Sequence, residues 1–261
     1  MADPRSRRHS AEVLANDSVM PGVFRLRLKC PAVASSARPG QFVMVSCDNH
    51  LLRRPVSIAG ADVAGGEISL LIASVGTGTA WLKERQSGDW LDVLGPQGNG
   101  FTIDEDSNKL LLVGGGMGIA PLNFLAEYAG RLRREVTLVL GARTAELLCP
   151  PGHLADTGEC LLFTEDGSAG TAGRVTDCPD SHIATADQIF VCGPIPMYRA
   201  LAQDARFTGR PVQVSLEVRM ACGTGLCYGC TIKTTGGLRQ VCSHGPVFRM
   251  DEVAWPELAD L

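Results

Sequence analysis

Four of the ten cysteines, Cys222, Cys227, Cys230 and Cys242, fall within 21 residues, spaced C-x4-C-x2-C-x11-C. Thiolates are soft anionic ligands. Three on a tight loop and a fourth from a nearby segment can surround a 2Fe–2S cluster with two sulfurs per iron. The intervening Gly223, Gly225 and Gly229 let the backbone wrap an inorganic centre and aim N–H groups at its sulfides, stabilising their charge. Four thiolates also suit a structural zinc ion, although zinc usually takes two short cysteine knuckles rather than a three-cysteine loop with one distant partner. Cys30, Cys47, Cys149, Cys160, Cys178 and Cys192 are scattered. A local cluster in a long chain reads as metal ligation first and disulfides second.

A second chemical signal is Gly114-Gly115-Gly116-Met117-Gly118, between the apolar run Leu110-Leu111-Leu112-Val113 and an expected helix. Such a turn can hold a pyrophosphate against a helix N-terminus. It does not satisfy G-x-G-x-x-G, because the sixth position counted from Gly116 is Pro121. Any tight strand–helix junction also needs glycine. Cys192-Gly193-Pro194 ends a later strand, where open α/β sheets present ligand-facing residues; a buried cysteine before a turn fits the spacing equally well. Arg143 and Asp166-Gly167-Ser168 follow two other strands and are expected at the same crevice, with Arg143 leaving NAD against NADP open. Nearer the N-terminus, Arg53-Arg54-Pro55-Val56-Ser57 groups phosphate and hydroxyl partners, and Pro55 holds the chain extended so that adjacent side chains face opposite ways. Gly76-Thr77-Gly78-Thr79 adds N–H groups and hydroxyls before another short helix. Either segment alone reads as an ordinary turn; both in one small barrel favour a flavin site.

The elements that must position these residues change character along the chain. Val23-Phe24-Arg25-Leu26-Arg27-Leu28 alternates as a half-buried strand does, and segments 41–45, 67–72 and 90–94 repeat the theme between glycine turns. These predict an antiparallel β-barrel over 11–105, with one short helix at 80–86, behind a flexible N-terminus at 1–10. Continuous apolar strands alternating with helical stretches predict a parallel-sheet α/β nucleotide-binding domain over 106–211. A small domain at 212–261 then carries one strand, the cysteine loop and a hairpin at Gly236-Gly237. An inorganic centre could supply much of the stability of so small a unit.

Bulk properties narrow the function. With 24 basic and 28 acidic residues and a formal charge of −4, the chain lacks the basic excess of a nucleic-acid binder. Arg5, Arg7 and Arg8 read as a solvated end, and no apolar h-region follows them. No stretch approaches the roughly 18–20 apolar residues of a membrane span. A soluble cytoplasmic protein is expected. The 30 glycines fit tight turns and close backbone approaches to ligands. His9, His50, His153, His182 and His244 form no ligand motif.

Taken together, Arg54-Pro55-Val56-Ser57, Gly95-Pro96-Gln97-Gly98-Asn99-Gly100-Phe101, the stretch 114–122, Cys192-Gly193-Pro194-Ile195-Pro196-Met197 and the stretch 215–230 resemble the ferredoxin-reductase-like electron-transfer subunits of NAD-linked dihydroorotate dehydrogenases. The resemblance spans nearly the whole chain. Many flavin reductases share the first four stretches. The last, with Cys227-Tyr228-Gly229-Cys230, Cys242 and Gly245-Pro246-Val247-Phe248, looks specific to this subunit. The resemblance implies FAD at Arg54, Pro55, Val56, Ser57, Leu71, Ile72, Ala73, Gly78 and Thr79. It implies the nicotinamide nucleotide at Gly115, Gly116, Arg143, Asp166, Cys192 and Gly193, and the cluster on Cys222, Cys227, Cys230 and Cys242. An FMN-containing catalytic subunit is the implied partner, in a heterotetramer with two copies of each chain. One departure is Glu217-Val218-Arg219, where the family usually has two acidic residues before the arginine.

The expected chemistry is electron transfer from dihydroorotate through the partner's FMN, the cluster and FAD to NAD⁺, the redox step of pyrimidine synthesis. Nicotinamide exchanges two electrons as hydride, a 2Fe–2S centre passes one at a time, and flavin does both. No residue of this chain need act as nucleophile or general acid, and Cys192 is the candidate for shaping the nicotinamide pocket. Three readings compete: a flavin/iron–sulfur reductase subunit of the ferredoxin, sulfide or glutamate synthase type, a cluster-based redox sensor, and a structural zinc protein.

Overall fold

The computed structural model describes residues 7–48, 50–156 and 158–258. Strands β1 (Arg8–Met20), β2 (Val23–Lys29), β3 (Phe42–Val45), β4 (Arg54–Asp62), β5 (Glu67–Ala73) and β6 (Trp90–Gln97) close into an antiparallel barrel in the order β1-β2-β5-β4-β3-β6. The period-2 pattern explains the packing. Phe24, Leu26 and Leu28 stand opposite Ile72, Leu70 and Ile68, and all six are buried inside the barrel. Residues one step out of phase, Val23, Leu71 and Ala73, face the next domain instead. Two short helices, α1 (Pro31–Ala34) and α2 (Thr77–Lys83), interrupt the strands.

The first strand begins inside the segment expected to be a flexible end. Arg8, His9 and Ser10 pair with Leu94, Val93 and Asp92, and the Arg8 guanidinium meets the Asp92 carboxylate; residues 1–6 lie outside the described residues. Helix α2 also starts earlier than expected. The Val75 and Gly76 N–H groups donate to Thr79 Oγ1 at 3.0 and 3.1 Å, so the Gly-Thr-Gly-Thr segment becomes the first helical turn.

The second layer runs β7 (Lys109–Gly115), α3 (Ile119–Arg131), β8 (Glu135–Ala142), β9 (Glu159–Thr164), β10 (Thr171–Ala172), α4 (Asp180–Thr185), β11 (Gln188–Cys192), α5 (Ile195–Gln203) and β12 (Val212–Ser215). After the cysteine loop come β13 (Thr231–Thr234), β14 (Gly237–Gln240), α6 (Val241–His244) and β15 (Val247–Arg249). The central sheet has the order β10-β9-β8-β7-β11-β12-β15 and is parallel except for β15. Leu110, Leu111, Leu112 and Val113 are buried on both faces, as a central parallel strand requires.

The sheet therefore runs past residue 211: β12 lies parallel to β11 and β15 adds the far edge. The cysteine module also shares a core with its neighbours, because Cys230, Ile232, Val241, Cys242, Phe248 and Trp255 pack with Met44 of the barrel and Val191 and Val214 of the sheet. This shared packing gives the small unit an apolar core in common with the sheet and the barrel. Asn99 fixes the junction. Its Nδ2 donates to the His244 and Val247 carbonyls at 3.0 and 2.8 Å, while the Val247 N–H donates to its Oδ1 at 3.0 Å. Among the described residues no helix is long and apolar enough to cross a membrane.

Candidate functional site

The four clustered thiols stand as two facing pairs, Cys222 with Cys227 and Cys230 with Cys242. Backbone N–H groups point at the sulfurs: Gly225 to Cys242 Sγ at 3.0 Å, Thr224 to Cys222 Sγ at 3.4 Å and Cys242 to Cys230 Sγ at 3.5 Å. Left-handed backbone at Gly223 and Gly225 (φ +70° and +81°) and at Tyr228 (φ +59°) turns the loop around the sulfurs. Burial alone would raise the Cys222 thiol, but the Thr224 N–H and Cys227 draw it down to about 6. Cys230, beside the Cys242 side chain and N–H, is likewise drawn to about 6, and Cys242 is pushed up in return. Among the described residues no three His, Cys, Asp or Glu side chains converge on a point that could hold one metal ion. Two thiol pairs with N–H groups aimed at sulfur fit a two-iron cluster, with two thiolates per iron, better than a single tetrahedral zinc.

The residues expected at the flavin divide between two faces of the barrel wall. Val56 and Ile72 point into the barrel core, whereas Leu71 and Ala73 face the α/β domain. Val56 and Ile72 can therefore meet a ligand only through their backbone. Pro55 is exposed and Ser57 half-buried. The Arg54 guanidinium lies over Gly78, where an added Cβ would stand 2.5 Å from its Nε. Among the described residues no carboxylate pairs with Arg54; its Nη1 donates to the Leu52 carbonyl at 2.5 Å. A free guanidinium on a glycine shelf fits the diphosphate of FAD. Arg53, read together with Arg54 in the sequence, is structural instead: it is paired with Asp92 at 2.6 Å. Thr79 spends its hydroxyl on its own helix turn. Arg54→Ala is expected to weaken FAD retention about 10- to 100-fold, the loss of a charge-assisted hydrogen bond; flavin-to-protein ratio after gel filtration measures it.

Gly115, Gly116, Arg143 and Gly193 line one cleft of about 690 Å³ between the barrel and the sheet's C-terminal edge. Met20 and Val23 form its barrel side, and Met117, Glu165, Arg174, Met197 and Glu217 are among the rest of its lining. Met20, Val23, Glu165 and Arg174 belong to no site motif read from the sequence; Arg174 and Glu165, 3.4 Å apart, are brought together only by folding. Two expected residues stand elsewhere. Asp166 is not in the lining and accepts hydrogen bonds from the Ser168 N–H and hydroxyl at 3.0 and 2.6 Å. The Cys192 thiol is fully buried, donates to the Ser215 carbonyl at 3.5 Å, and is pushed well above the ordinary thiol range by burial. Cys192 reaches the cleft only through the turn that follows it.

The three places adjoin. An added Cβ on Gly223 of the cysteine loop would stand 2.5 Å from Met44 Cγ, and Met44 pairs with Pro55 across β3 and β4. On the other side Leu71 and Ala73 pack with Val23, Met20 and Met117, which wall the cleft.

Comparison with known proteins agrees with this geometry. Residues 10–101 match the oxidoreductase FAD-binding domain, and residues 217–254 match the iron–sulfur cluster binding domain of dihydroorotate dehydrogenase B. The dihydroorotate dehydrogenase B (NAD(+)) electron transfer subunit of Bacillus caldolyticus is 42% identical over 238 residues, covering 88% of this chain and 92% of that one. Its counterpart in Geobacillus thermodenitrificans (strain NG80-2) is 40% identical over 254 residues, covering 94% and 98%. Among solved structures, a chain of the NADH-dependent reduced ferredoxin-NADP oxidoreductase superposes with a TM-score of 0.85 at 35% identity, covering 95% of this chain and 91% of that one. By sequence across nearly its whole length, by its two matched domains and by its fold, the chain belongs to the family of dihydroorotate dehydrogenase B (NAD(+)) electron transfer subunits.

Proposed function

We propose that the chain carries electrons from an FMN-containing dihydroorotate dehydrogenase subunit to NAD⁺, using one 2Fe–2S cluster and one FAD, in pyrimidine synthesis. When bound, the cluster passes single electrons and the flavin exchanges them for hydride with the nicotinamide. The chain's residues supply positions. Cys222, Cys227, Cys230 and Cys242 hold the cluster. Arg54 and the Gly78 shelf hold the flavin's diphosphate, and Leu71 and Ala73 turn its redox end toward the cleft. Gly115, Gly116, Arg143 and Gly193 receive the nucleotide.

The observation that carries this reading is the contact order: cysteine loop, Met44, the β4 strand of Arg54 and Pro55, then the Leu71 and Ala73 face, then the cleft. A one-electron carrier at one end and a hydride acceptor at the other require the flavin between them. A partner is favoured by Leu226 and Tyr228, which flank the exposed Cys227 and are themselves 81% and 66% exposed, an apolar rim that a docked subunit would cover. From the family resemblance we take the assembly to be a cytoplasmic heterotetramer with two copies of each subunit; light scattering on the co-purified complex tests the stoichiometry.

The deciding experiment is anaerobic visible spectroscopy of the chain co-purified with its catalytic subunit. Dihydroorotate should bleach the flavin and iron–sulfur bands, and NAD⁺ should restore them. The 35% identity to the NADH-dependent reduced ferredoxin-NADP oxidoreductase chain supports a second reading, a reductase subunit serving another acceptor. Bleaching by NADH with no response to dihydroorotate would favour it.

A further inference from the structure

Tyr198 is the largest fully buried side chain among the described residues, although its phenol is polar. It stands on α5, five residues after Gly193. Its oxygen accepts from the Gly193 N–H at 2.9 Å and donates to the Ser215 carbonyl at 2.5 Å. The same carbonyl takes the Cys192 thiol. One hydroxyl thus joins two structures that the sequence keeps apart. Gly193 belongs to the turn that walls the nucleotide cleft, and Ser215 ends the strand leading through Glu217 to the cysteine loop.

The rest of the surroundings fix the ring itself. Trp255, from the segment after the cysteine module, stacks on Tyr198 with centroids 5.4 Å apart and planes 23° apart. Trp255 is held in turn: its Nε1 donates to the Met250 carbonyl at 2.9 Å, and Arg199 Nε donates to its carbonyl at 3.2 Å. Next to Ser215, the Leu216 N–H donates to the Pro246 carbonyl at 2.9 Å, tying the strand to the module. Packing alone would be satisfied by phenylalanine. The hydroxyl matters because it accepts from the Gly193 N–H at the crowded turn against Gly115 and Gly118, a group with no other acceptor among the described residues.

We propose that Tyr198 is a positioning residue for the nicotinamide: through its hydroxyl it fixes the Gly193 turn against the strand that leads to the cluster. The inference rests on the cleft being the nicotinamide site. Without the hydroxyl, a buried N–H loses its acceptor and the turn is free to shift, so a bound nicotinamide loses its alignment while most of the nucleotide's contacts remain.

The test is Tyr198→Phe in the co-purified complex, with Trp255→Phe as a packing control on the same ring stack. In Tyr198→Phe, flavin reduction at saturating NADH should slow about tenfold, with the dissociation constant for NADH changed less than about twofold. Hydrogen exchange followed by mass spectrometry should show lost protection of the peptide containing Gly193, with iron and FAD content unchanged. Trp255→Phe should lower the melting temperature and leave the NADH rate and Gly193 protection as they were. A Tyr198→Phe complex that melts lower but keeps the wild-type rate and protection would overturn the inference. If NADH fails to reduce the wild-type flavin at all, the nucleotide assignment falls first, and retained Gly193 protection in Tyr198→Phe would still overturn the hydroxyl's role.

Discussion

Cys227→Ser should leave the chain without its cluster: iron and acid-labile sulfide fall from about two of each per chain to near zero, and the visible iron–sulfur bands disappear. Cys227 faces Cys222 in one of the two thiol pairs. A serine oxygen is a hard, weakly acidic substitute, so that pair no longer offers two thiolates to an iron. FAD should remain, because the residues proposed to hold it lie on β4, β5 and α2, and the cysteine loop meets the barrel at Gly223 on Met44. The module should also stay folded, since its apolar residues share the core of the sheet and barrel. Cys160→Ser, at an exposed thiol outside the cluster, is the matched control. Full iron retention in Cys227→Ser would overturn the ligand assignment; unfolding together with iron loss would show that the module depends on its metal after all.

Gly118→Ala is expected to have the largest effect of any single methyl group added near the cleft proposed for the nucleotide. A Cβ there would lie 1.9 Å from the Cys192 carbonyl oxygen, 2.3 Å from its carbon and 2.9 Å from the Gly193 nitrogen. All three are backbone atoms, so no rotamer change relieves the overlap. The turn after β7 and the turn after β11 must move apart, at a cost of about 1–3 kcal/mol or more. The melting temperature should fall on the order of 5 °C, and kcat/KM for NADH about 10- to 100-fold, with FAD and iron retained. Gly130→Ala is the informative contrast: it sits in α3 with nothing within 4 Å of the added methyl, and should be neutral or slightly stabilising. Thermal melts and NADH-dependent dye reduction on both variants measure the difference. A Gly118→Ala protein with wild-type nucleotide kinetics would show that the two turns need not touch for the cleft to work.

The parts legible in the sequence share one property, that they depend on neighbours close along the chain. The alternation at Val23 to Leu28 makes β2 a strand with one buried face. The continuous run at Leu110 to Val113 makes β7 a central parallel strand. The cysteine spacing brings three thiols onto one loop, and the glycines between them supply the left-handed backbone. The boundary differences have two causes: Thr79 capping its own turn moved α2 forward, and ladder pairing with the distant β6 drew Arg8 to Ser10 into the barrel.

The tertiary structure decided what joins these parts. A period of two says that Val56 and Ser57 face opposite ways, but only barrel closure decides which of them enters the core. The sequence marks Cys192 as special, yet packing turns its thiol to the Ser215 carbonyl and leaves the cleft to Gly193. Tyr198 and Arg174 carry no local pattern, and the stretch around Asn99 does not reveal its partner, because each acts on a backbone or carboxylate brought near by folding. By itself the sequence determined the cofactor chemistry, since donor type and spacing are properties of short segments. Which side chains stand between the carriers was settled only when β12 and β15 joined the sheet and placed the cysteine module against the barrel, because contacts between distant segments depend on the packing of the whole core rather than on any local pattern.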